Sequence, residues 1–421
     1  MNKRLVKRFA LVLLVIALGI VAYEQFIGRI RTWYSDNYIP RVTLYAATEQ
    51  PDQVCLTWNG DPKTTQAIQW RAATSVMDGQ VEFRETATPD AVPTVVEATR
   101  AVVDDPMLKN DPSNARFTAT ATGLRPATNY TYRVGSKQKG LWSGWMDFTT
   151  APAEIGSYSF IYLGDPQVGL ESWGKLIHGA QTRFPQTAFY VIAGDLVNSG
   201  SYRNEWDRFF EASKGIFDRR PVVPVLGNHD YDKKDAPNLY LNLFALPENG
   251  PKDFPVERAY SYSYGNVLFV VLDSNLDPEP QLPWLEEQLS KSTAKWKLVS
   301  FHHPFYSSAP HRDNHEIREA WGPVFDKYHV DLALQGHDHA YLRTHPMYAE
   351  KQVPTPKDGS IYVVSVSGTK YYEQESHEYA AVAFANVSTY QVIDISTNPD
   401  RLSYRAYDKD AALKDEVIIE K

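Results

Sequence analysis

The alternation of apolar and polar residues changes character near residue 151. Between about residues 40 and 150, short alternating or β-branched runs are separated by Pro, Gly, Asp and Asn residues; these runs are VTLYAA, QVCLTW, AIQWRA, RFTATATG and NYTYRVG. Short runs of this kind, with turn residues between them, are typical of a β-sandwich. The pattern therefore predicts a first domain over residues 38–151 that is built only of strands.

A different pattern follows Ala151-Pro152-Ala153. The runs SYSFIYL, TAFYVIA, PVVPVL, KLVSF and VDLALQ predict apolar strands, and most of them precede a helical stretch. Apolar residues recur at spacings of three and four in ESWGKLIHGAQTRF and in HEIREAWGPVFDKYHV, where Gly322-Pro323 can break or kink the helix. Strands that alternate with amphipathic helices predict a layered α/β domain, which we place at residues 156–412.

The N-terminus has the pattern of a targeting segment. MNKRLVKR carries four positive charges, and the 15 residues FALVLLVIALGIVAY follow without a charge. We predict a signal anchor or signal peptide over residues 1–27, and favour an uncleaved anchor although the apolar run is shorter than the ~20 residues of a spanning helix. The positive-inside rule then places the remainder outside the cytoplasm, either membrane-anchored or secreted or periplasmic.

Charge and cysteine content narrow the class of protein. The net charge is −8, and no run of Lys or Arg occurs beyond the N-terminus, so we expect no nucleic-acid binding. The single cysteine, Cys55, excludes an internal disulfide and a thiolate metal site. It lies in a strand-like run and is expected to be a small core residue.

Polar side chains follow five of the predicted apolar strands directly. They are Asp165, Asp195, Asn228 with His229, His302 with His303, and His337 with His339. Each alone has an ordinary explanation as a helix cap or a turn, but ligands bind at the carboxyl edge of open α/β sheets. Oxygen and nitrogen donors without cysteine suit divalent cations, and their number predicts two metals that share a carboxylate, an arrangement that hydrolyses phosphate esters.

The ordered motifs GD, GDxx, GNHD, VxxH (here VSFH) and GHxH resemble those of the calcineurin-like metallophosphoesterases. The resemblance is closest to the purple acid phosphatase branch, since ATGLRPATNYTYRVG, with Trp58 upstream, resembles a fibronectin type III-like domain. It covers about residues 40 to 410. It implies a fibronectin type III-like β-sandwich followed by a four-layer α/β/β/α sandwich, with a two-metal site at one sheet edge.

The resemblance also implies a role for each site residue. The metal ligands would be Asp165 and His339 for the first ion, Asp195 as the bridge, and Asn228, His302 and His337 for the second ion. His229 lies where the family has a catalytic imidazole near the leaving group. His311 matches a histidine that faces the phosphate, and His303 has no clear counterpart.

Two departures from the family pattern concern the metals. Purple acid phosphatases have a tyrosinate ligand three residues after the second Asp, where this chain has Asn198. The first motif is GDPQ instead of Gly-Asp-x-Gly, which suggests Gln167 as an amide-oxygen ligand. We therefore predict a colourless enzyme with two divalent ions. The donor set leaves Mn, Fe and Zn open.

The expected activity is that of an acid phosphatase-like phosphomonoesterase, in which a metal-bridging hydroxide attacks small-molecule phosphate esters. A phosphodiesterase or a nucleotide pyrophosphohydrolase is the alternative, because the same two-metal centre serves both reactions. An alternative from another class is a catalytically inactive, membrane-tethered binding protein. Metal that is bound by the protein or that activates it would indicate an enzyme, and the absence of such metal would favour the binding protein.

Overall fold

In a computed structural model of the protein, the described residues are 39–153, 156–231 and 236–421, together with Tyr23 and Ile27. The rest of the predicted targeting segment at 1–27, and with it the predicted membrane contact, lies outside this part of the chain and stays a prediction. Within the described part, no helix combines the length and the apolar content that a membrane span requires.

The N-terminal domain is a β-sandwich, as predicted. Its strands are β1 (Asp52–Thr57), β2 (Gln66–Ala73), β3 (Gln80–Glu85), β4 (Thr94–Glu97), β5 (Thr99–Asp104), β6 (Ser113–Ala121), β7 (Asn129–Ser136), β8 (Leu141–Trp142) and β9 (Met146–Thr149). One sheet has the order β1-β2-β6-β5, and the other has the order β4-β3-β7-β8 with β9 also paired to β7. Inward-facing side chains such as Trp70, Phe117 and Tyr132 form a core between the two sheets.

The run VTLYAA was expected to begin the sandwich, but it forms no strand. Val42 and Leu44 are exposed, and the backbone N–H groups of Thr43 and Ala47 donate to the side chains of Asn110 and Asp111. These side chains replace a neighbouring strand as hydrogen-bond acceptors. The alternation of apolar residues in this run was therefore a misleading signal.

The second domain contains helices and two larger sheets. Its strands are β10 (Tyr158–Leu163), β11 (Tyr190–Ile192), β12 (Val222–Pro224), β13 (Tyr260–Tyr264), β14 (Val267–Val271), β15 (Trp296–Ser300), β16 (Leu332–Gln335), β17 (Tyr341–Thr344), β18 (Met347–Tyr348), β19 (Lys351–Gln352), β20 (Ile361–Val364), β21 (Ala380–Phe384), β22 (Thr389–Thr397), β23 (Asp400–Asp408) and β24 (Leu413–Glu420). Its α-helices are α1 (Leu170–Arg183), α2 (Arg203–Ala212), α3 (Asn238–Leu243), α4 (Leu282–Lys291) and α5 (His315–Tyr328). Gly322-Pro323 does not end α5, because the helix buries Ile317, Trp321 and Phe325 on one face.

The two sheets pack face to face between layers of helices. Their orders are β12-β11-β10-β22-β23-β24 and β13-β14-β15-β16-β20-β17-β21. Alternate residues of β14 point to opposite sides: Phe269 packs with the first sheet, and Val270 packs with the cluster that contains α4 and α5. On the far side of the first sheet, Phe184 at the end of α1 packs on Tyr390 and Tyr407. The second domain thus forms four layers, α/β/β/α.

The second domain extends beyond the predicted boundary at residue 412. Strand β24 pairs antiparallel with β23 and completes the edge of the six-stranded sheet. Ile419 is buried, and Asp415 accepts two hydrogen bonds from the guanidinium group of Arg343. The final run LKDEVIIE is therefore part of the domain.

The two domains share an aromatic contact at Trp58, which follows β1. Its ring lies 5.2 Å from Phe189, 5.3 Å from Tyr262 and 5.5 Å from Tyr264 between ring centroids, and the residue is 4% exposed. This side chain fills the space between the sandwich and both sheets of the second domain. The sandwich is therefore packed against the layered domain and does not hang from a linker.

We expect Trp58→Ala to lower the free energy of unfolding by about 3 kcal/mol, because the substitution leaves a cavity among these rings. Urea unfolding followed by circular dichroism measures the loss. Trp145→Ala is the matched control, since Trp145 is 36% exposed and should cost less than about 1 kcal/mol. Equal losses in the two variants would contradict the role of Trp58 between the domains.

Candidate metal centre

The predicted ligands lie where parallel strands of both sheets end. Asp165 follows β10, and Asp195 follows β11, which runs parallel to β10 in the six-stranded sheet. In the seven-stranded sheet, His302 follows β15, and His337 follows the neighbouring parallel strand β16. Because the two sheets face each other, their carboxyl edges bring residues from distant parts of the chain into one cluster.

The backbone of this cluster adopts an uncommon conformation. The φ angles of Asp165, Asp195, His337 and His339 are 46°, 52°, 76° and 47°, all in the left-handed region. Such angles cost of order 1–3 kcal/mol per residue outside glycine and concentrate at functional sites. Gly194 (φ 89°) allows the backbone before Asp195 to lie close to the ring of His302, since a Cβ atom at residue 194 would be 2.3 Å from Nδ1 of His302.

Two groups of ligand atoms share one carboxylate. Atoms of Asp165, Asp195 and His339 lie within 4.8 Å of one another, and so do atoms of Asp195, His302 and His337. Asp195 is the residue common to both groups. Asn228 belongs with the second group, since its Oδ1 lies 3.2 Å from Nε2 of His302. Two adjacent sites with a shared carboxylate are the arrangement that a pair of divalent cations requires.

Hydrogen bonds on the outer ring nitrogens orient the histidines toward these groups. His302 Nδ1 donates to the carbonyl oxygen of Ala193 at 2.9 Å, and His339 Nδ1 donates to that of Lys370 at 3.1 Å. The Nε2 lone pairs therefore point inward, where Nε2 of His302 lies 3.1 Å from Nδ1 of His337. Bonds of this kind fix the tautomer of metal-binding histidines. Converging lone pairs and carboxylates fit a cation.

Gln167 lies in the same cluster and is buried. Its Nε2 donates to Oδ2 of Asp195 at 3.0 Å and lies 2.9 Å from Nε2 of His339, while its Oε1 has no hydrogen-bond partner among the described residues. The amide nitrogen thus faces the other ligands. The amide oxygen would reach a metal ion only after the amide rotates, so its predicted role as a ligand stays a prediction.

The surroundings of the buried carboxylates favour positive charge in the pocket. Burial raises the pKa of Asp165 well above its ordinary value; the nearby carboxylate of Asp195 raises it further, and His302 opposes the rise. Burial alone would lower the pKa of His302, but the charge and hydrogen bond of Asp195, together with Asp165, raise it to about 10. The two carboxylates therefore favour positive charge at this position. A bound cation would supply that charge and leave Nε2 of His302 free to coordinate it.

His229 lies at the rim of the cluster. Its backbone N–H donates to Oδ1 of Asp195 at 2.8 Å, and its Nδ1 donates to the carbonyl oxygen of Asn198 at 2.7 Å. The ring is half-buried, and the Nδ1 bond leaves Nε2 as the nitrogen that can exchange a proton. Asn198 itself is exposed and contributes its backbone to this contact.

The other two predicted histidines occupy different surroundings. His311 is exposed and lines a cavity of about 390 Å³ with Arg318 and His377. In the described part of the chain it makes no contact with the ligand cluster, and its predicted catalytic role stays a prediction. His303 has Nδ1 2.9 Å from Oγ of Ser274, and its ring lies 4.3 Å from that of His337. His303 therefore packs against a candidate ligand.

Two buried aspartates that the sequence did not single out hold the loops of the site. Asp230 accepts hydrogen bonds from the backbone N–H groups of Leu196, Val197 and Gly227, at 2.8, 3.3 and 2.8 Å. Asp338 lies between His337 and His339 and accepts bonds from Ser307 Oγ, Ser308 N and Arg312 Nε. Both residues lie in the quoted motifs: Asp230 ends GNHD, and Asp338 is the variable position of GHxH. This was the available signal.

Two family models match the chain on either side of residue 151. Residues 158–341 match the calcineurin-like phosphoesterase family. The chain therefore contains a calcineurin-like phosphoesterase domain. Residues 51–150 match the N-terminal domain of purple acid phosphatases, which confirms the predicted resemblance to that branch.

Individual relatives give the same assignment. Probable purple acid phosphatase 20 of Arabidopsis thaliana is 28% identical over 257 residues, 57% of this chain and 57% of that protein. An uncharacterized protein of Mycobacterium tuberculosis is 25% identical over 359 residues, 75% of this chain and 67% of that protein. The purple acid phosphatase PPD1 from yellow lupin (Lupinus luteus) seeds has the same fold, with a TM-score of 0.76, 18% identity, and coverage of 88% of this chain and 74% of that chain. The chain spans 57% of the length of the Arabidopsis relative, so activity does not follow from similarity alone.

Proposed function

We propose that the protein is a metal-dependent phosphomonoesterase that hydrolyses small-molecule phosphate esters. The observation that supports this function is the position of Asp195, whose carboxylate is common to two groups of ligand atoms. The surrounding donors are carboxylate, amide and imidazole groups, which suit Mn, Fe or Zn. Asn228 is exposed, so the site is open to a substrate.

Each residue of the site would have a separate role. Asp165 and His339 would hold one cation. Asn228, His302 and His337 would hold the other cation, and Asp195 would bind both. Two divalent cations in these positions would make water a nucleophile at neutral pH and neutralise the phosphate oxygens. His229 would carry a proton on Nε2 and transfer it to the leaving oxygen as the phosphorus–oxygen bond breaks, while Asn198 holds its Nδ1–H.

Metal analysis combined with a small substrate panel tests this proposal. We expect the purified protein to contain divalent metal and to hydrolyse p-nitrophenyl phosphate faster than bis-p-nitrophenyl phosphate. Dialysis against a chelator should abolish turnover, and Mn²⁺, Fe²⁺ or Zn²⁺ should restore it. Protein that neither contains metal nor is activated by it would contradict the proposal and favour an inactive binding protein.

The same panel, extended by a nucleoside triphosphate, separates the alternatives within catalysis. Preference for bis-p-nitrophenyl phosphate would assign a phosphodiesterase, and release of nucleoside monophosphate from a nucleoside triphosphate would assign a pyrophosphohydrolase. Either result would overturn the monoesterase proposal while leaving the two-metal centre in place. The chelator-treated protein serves as the control, because chelation removes the metal and leaves every side chain unchanged.

A further inference from the structure

The segment 370–372 lies against His339 at the edge of the candidate metal centre. The carbonyl oxygen of Lys370 accepts the Nδ1–H of His339 at 3.1 Å, and the backbone N–H of Tyr372 donates to the carbonyl oxygen of His339 at 3.2 Å. The ring of Tyr372 lies 4.7 Å from the imidazole, between centroids. The backbone of this segment and the ring of Tyr372 are therefore next to the first group of ligand atoms.

Two cationic side chains meet on the ring of Tyr372. Nζ of Lys370 lies 5.1 Å from the ring centroid, and Cζ of Arg312 lies 5.0 Å from it. Cations at such distances are attracted to the ring face. Arg312 is fixed further by hydrogen bonds from Nε to Asp338 at 3.0 Å and from Nη2 to the carbonyl oxygen of His337 at 3.1 Å. Tyr372 thus holds two cationic groups beside the centre, of which Arg312 is paired with the carboxylate of Asp338.

The charge of Lys370 is not neutralised within the described structure. Its ammonium group forms no ion pair or hydrogen bond with any described carboxylate, and its contact is the ring of Tyr372. The residue is half-buried, which keeps the side chain close to the site. The metal centre itself would bind the phosphoryl group that is hydrolysed. An unpaired ammonium beside it is suited to a second anion.

We propose that Lys370 and Arg312, held by Tyr372, bind a second anionic group of the substrate while its phosphoryl group occupies the metal centre. This inference rests on the proposed function and narrows its substrate class. Preferred substrates are phosphate esters with a carboxylate or a second phosphate a few bonds from the ester. Asp338 contributes by positioning Arg312, since it bonds both the guanidinium group and the loop of Ser307 and Ser308.

Three substrates with a three-carbon backbone test the inference. Glycerol 3-phosphate has no second anionic group, 3-phosphoglycerate has a carboxylate, and glycerol 1,3-bisphosphate has a second phosphate. We expect kcat/KM to be about tenfold higher for one or both of the substrates with a second anionic group than for glycerol 3-phosphate. Lys370→Gln should lower kcat/KM for the preferred substrate about tenfold more than for glycerol 3-phosphate, and Lys370→Arg should preserve the preference.

Binding without turnover gives an independent measurement. The metal-loaded protein should bind phosphonoacetate about tenfold more tightly than ethylphosphonate in calorimetry, and Lys370→Gln should remove that difference. Lys351→Gln is the matched control, because Lys351 is exposed on β19. Equal loss on all three substrates in Lys370→Gln, or no preference in the unmodified protein, would overturn the inference and leave the phosphatase proposal standing. No turnover of any phosphoester would overturn the phosphatase proposal instead.

Discussion

Asp195→Asn is expected to reduce phosphoester hydrolysis by at least about 10³-fold and to lower the metal content of the purified protein. The substitution keeps the size of the side chain but removes the charge that both groups of ligand atoms share. Oδ2 of Asp195 lies 3.3 Å from Nε2 of His302 and 3.0 Å from Nε2 of Gln167. An amide cannot neutralise cations on both sides, so both sites should weaken together.

Asp394→Asn is the matched control for this variant. Asp394 lies on β22 opposite Ser159, near the start of β10, whereas Asp165 follows the end of that strand. Its ion pair with Arg405 is partly exposed, so its loss should leave turnover and metal content unchanged. Elemental analysis and p-nitrophenyl phosphate hydrolysis measure both effects. Hydrolysis by Asp195→Asn at the rate of the unmodified protein would refute the two-metal assignment.

The position of the candidate ligands could be predicted from the sequence because each follows an apolar run. The last residue of an apolar run marks the end of a buried strand, and parallel strands end at the same edge of a sheet. Asp165 and Asp195 come together in this way, although 30 positions separate them. The left-handed backbone at these residues could not be predicted, since it accompanies tertiary contacts such as the close approach of Gly194 to His302.

The residues that support the ligands had no comparable signal. Tyr372 lies 33 positions after His339 in the loop that follows β20, where no periodic pattern exists. Its contact with His339 depends on the path of that loop in three dimensions. Asp338 does lie within the motif GHxH, but its contacts with Ser307, Ser308 and Arg312 depend on the path of the loops in the same way. A motif identifies the donors, but loop geometry decides which side chains hold them.

The fold shows the same division between local and tertiary information. The hairpin of β13 and β14 around Gly265-Asn266 can be predicted from SYSYGNVLFVV, because its turn residues and the runs that flank them are local features. The run VTLYAA alternates equally well but forms no strand, since Asn110 and Asp111 take its backbone N–H groups. Alternation therefore predicts a strand only where a partner strand is available.

His229→Ala is expected to lower turnover while leaving metal content unchanged, which separates it from Asp195→Asn. The backbone N–H of His229 donates to Asp195, which holds the residue at the site, and the bond from Nδ1 to the carbonyl oxygen of Asn198 leaves Nε2 free for proton transfer. Loss of a general acid costs about 10²–10⁴-fold when the leaving group needs a proton. Glycerol 3-phosphate has such a leaving group, whereas nitrophenolate departs as a stable anion. The loss should therefore be larger for glycerol 3-phosphate.

Two further variants decide which histidine supplies the proton. His178→Ala is the control, because His178 is exposed on α1 and should give unchanged kcat/KM on both substrates. His311→Ala should show the dependence on leaving group only if His311 is the acid, as the sequence resemblance allows. If His229→Ala lost the same factor on both substrates, His229 would bind the phosphate and not protonate the leaving oxygen. A loss of metal in His229→Ala would instead show that the main role of His229 is to position Asp195. The ring would then hold the loop in place, so that the backbone N–H of residue 229 can donate to Asp195.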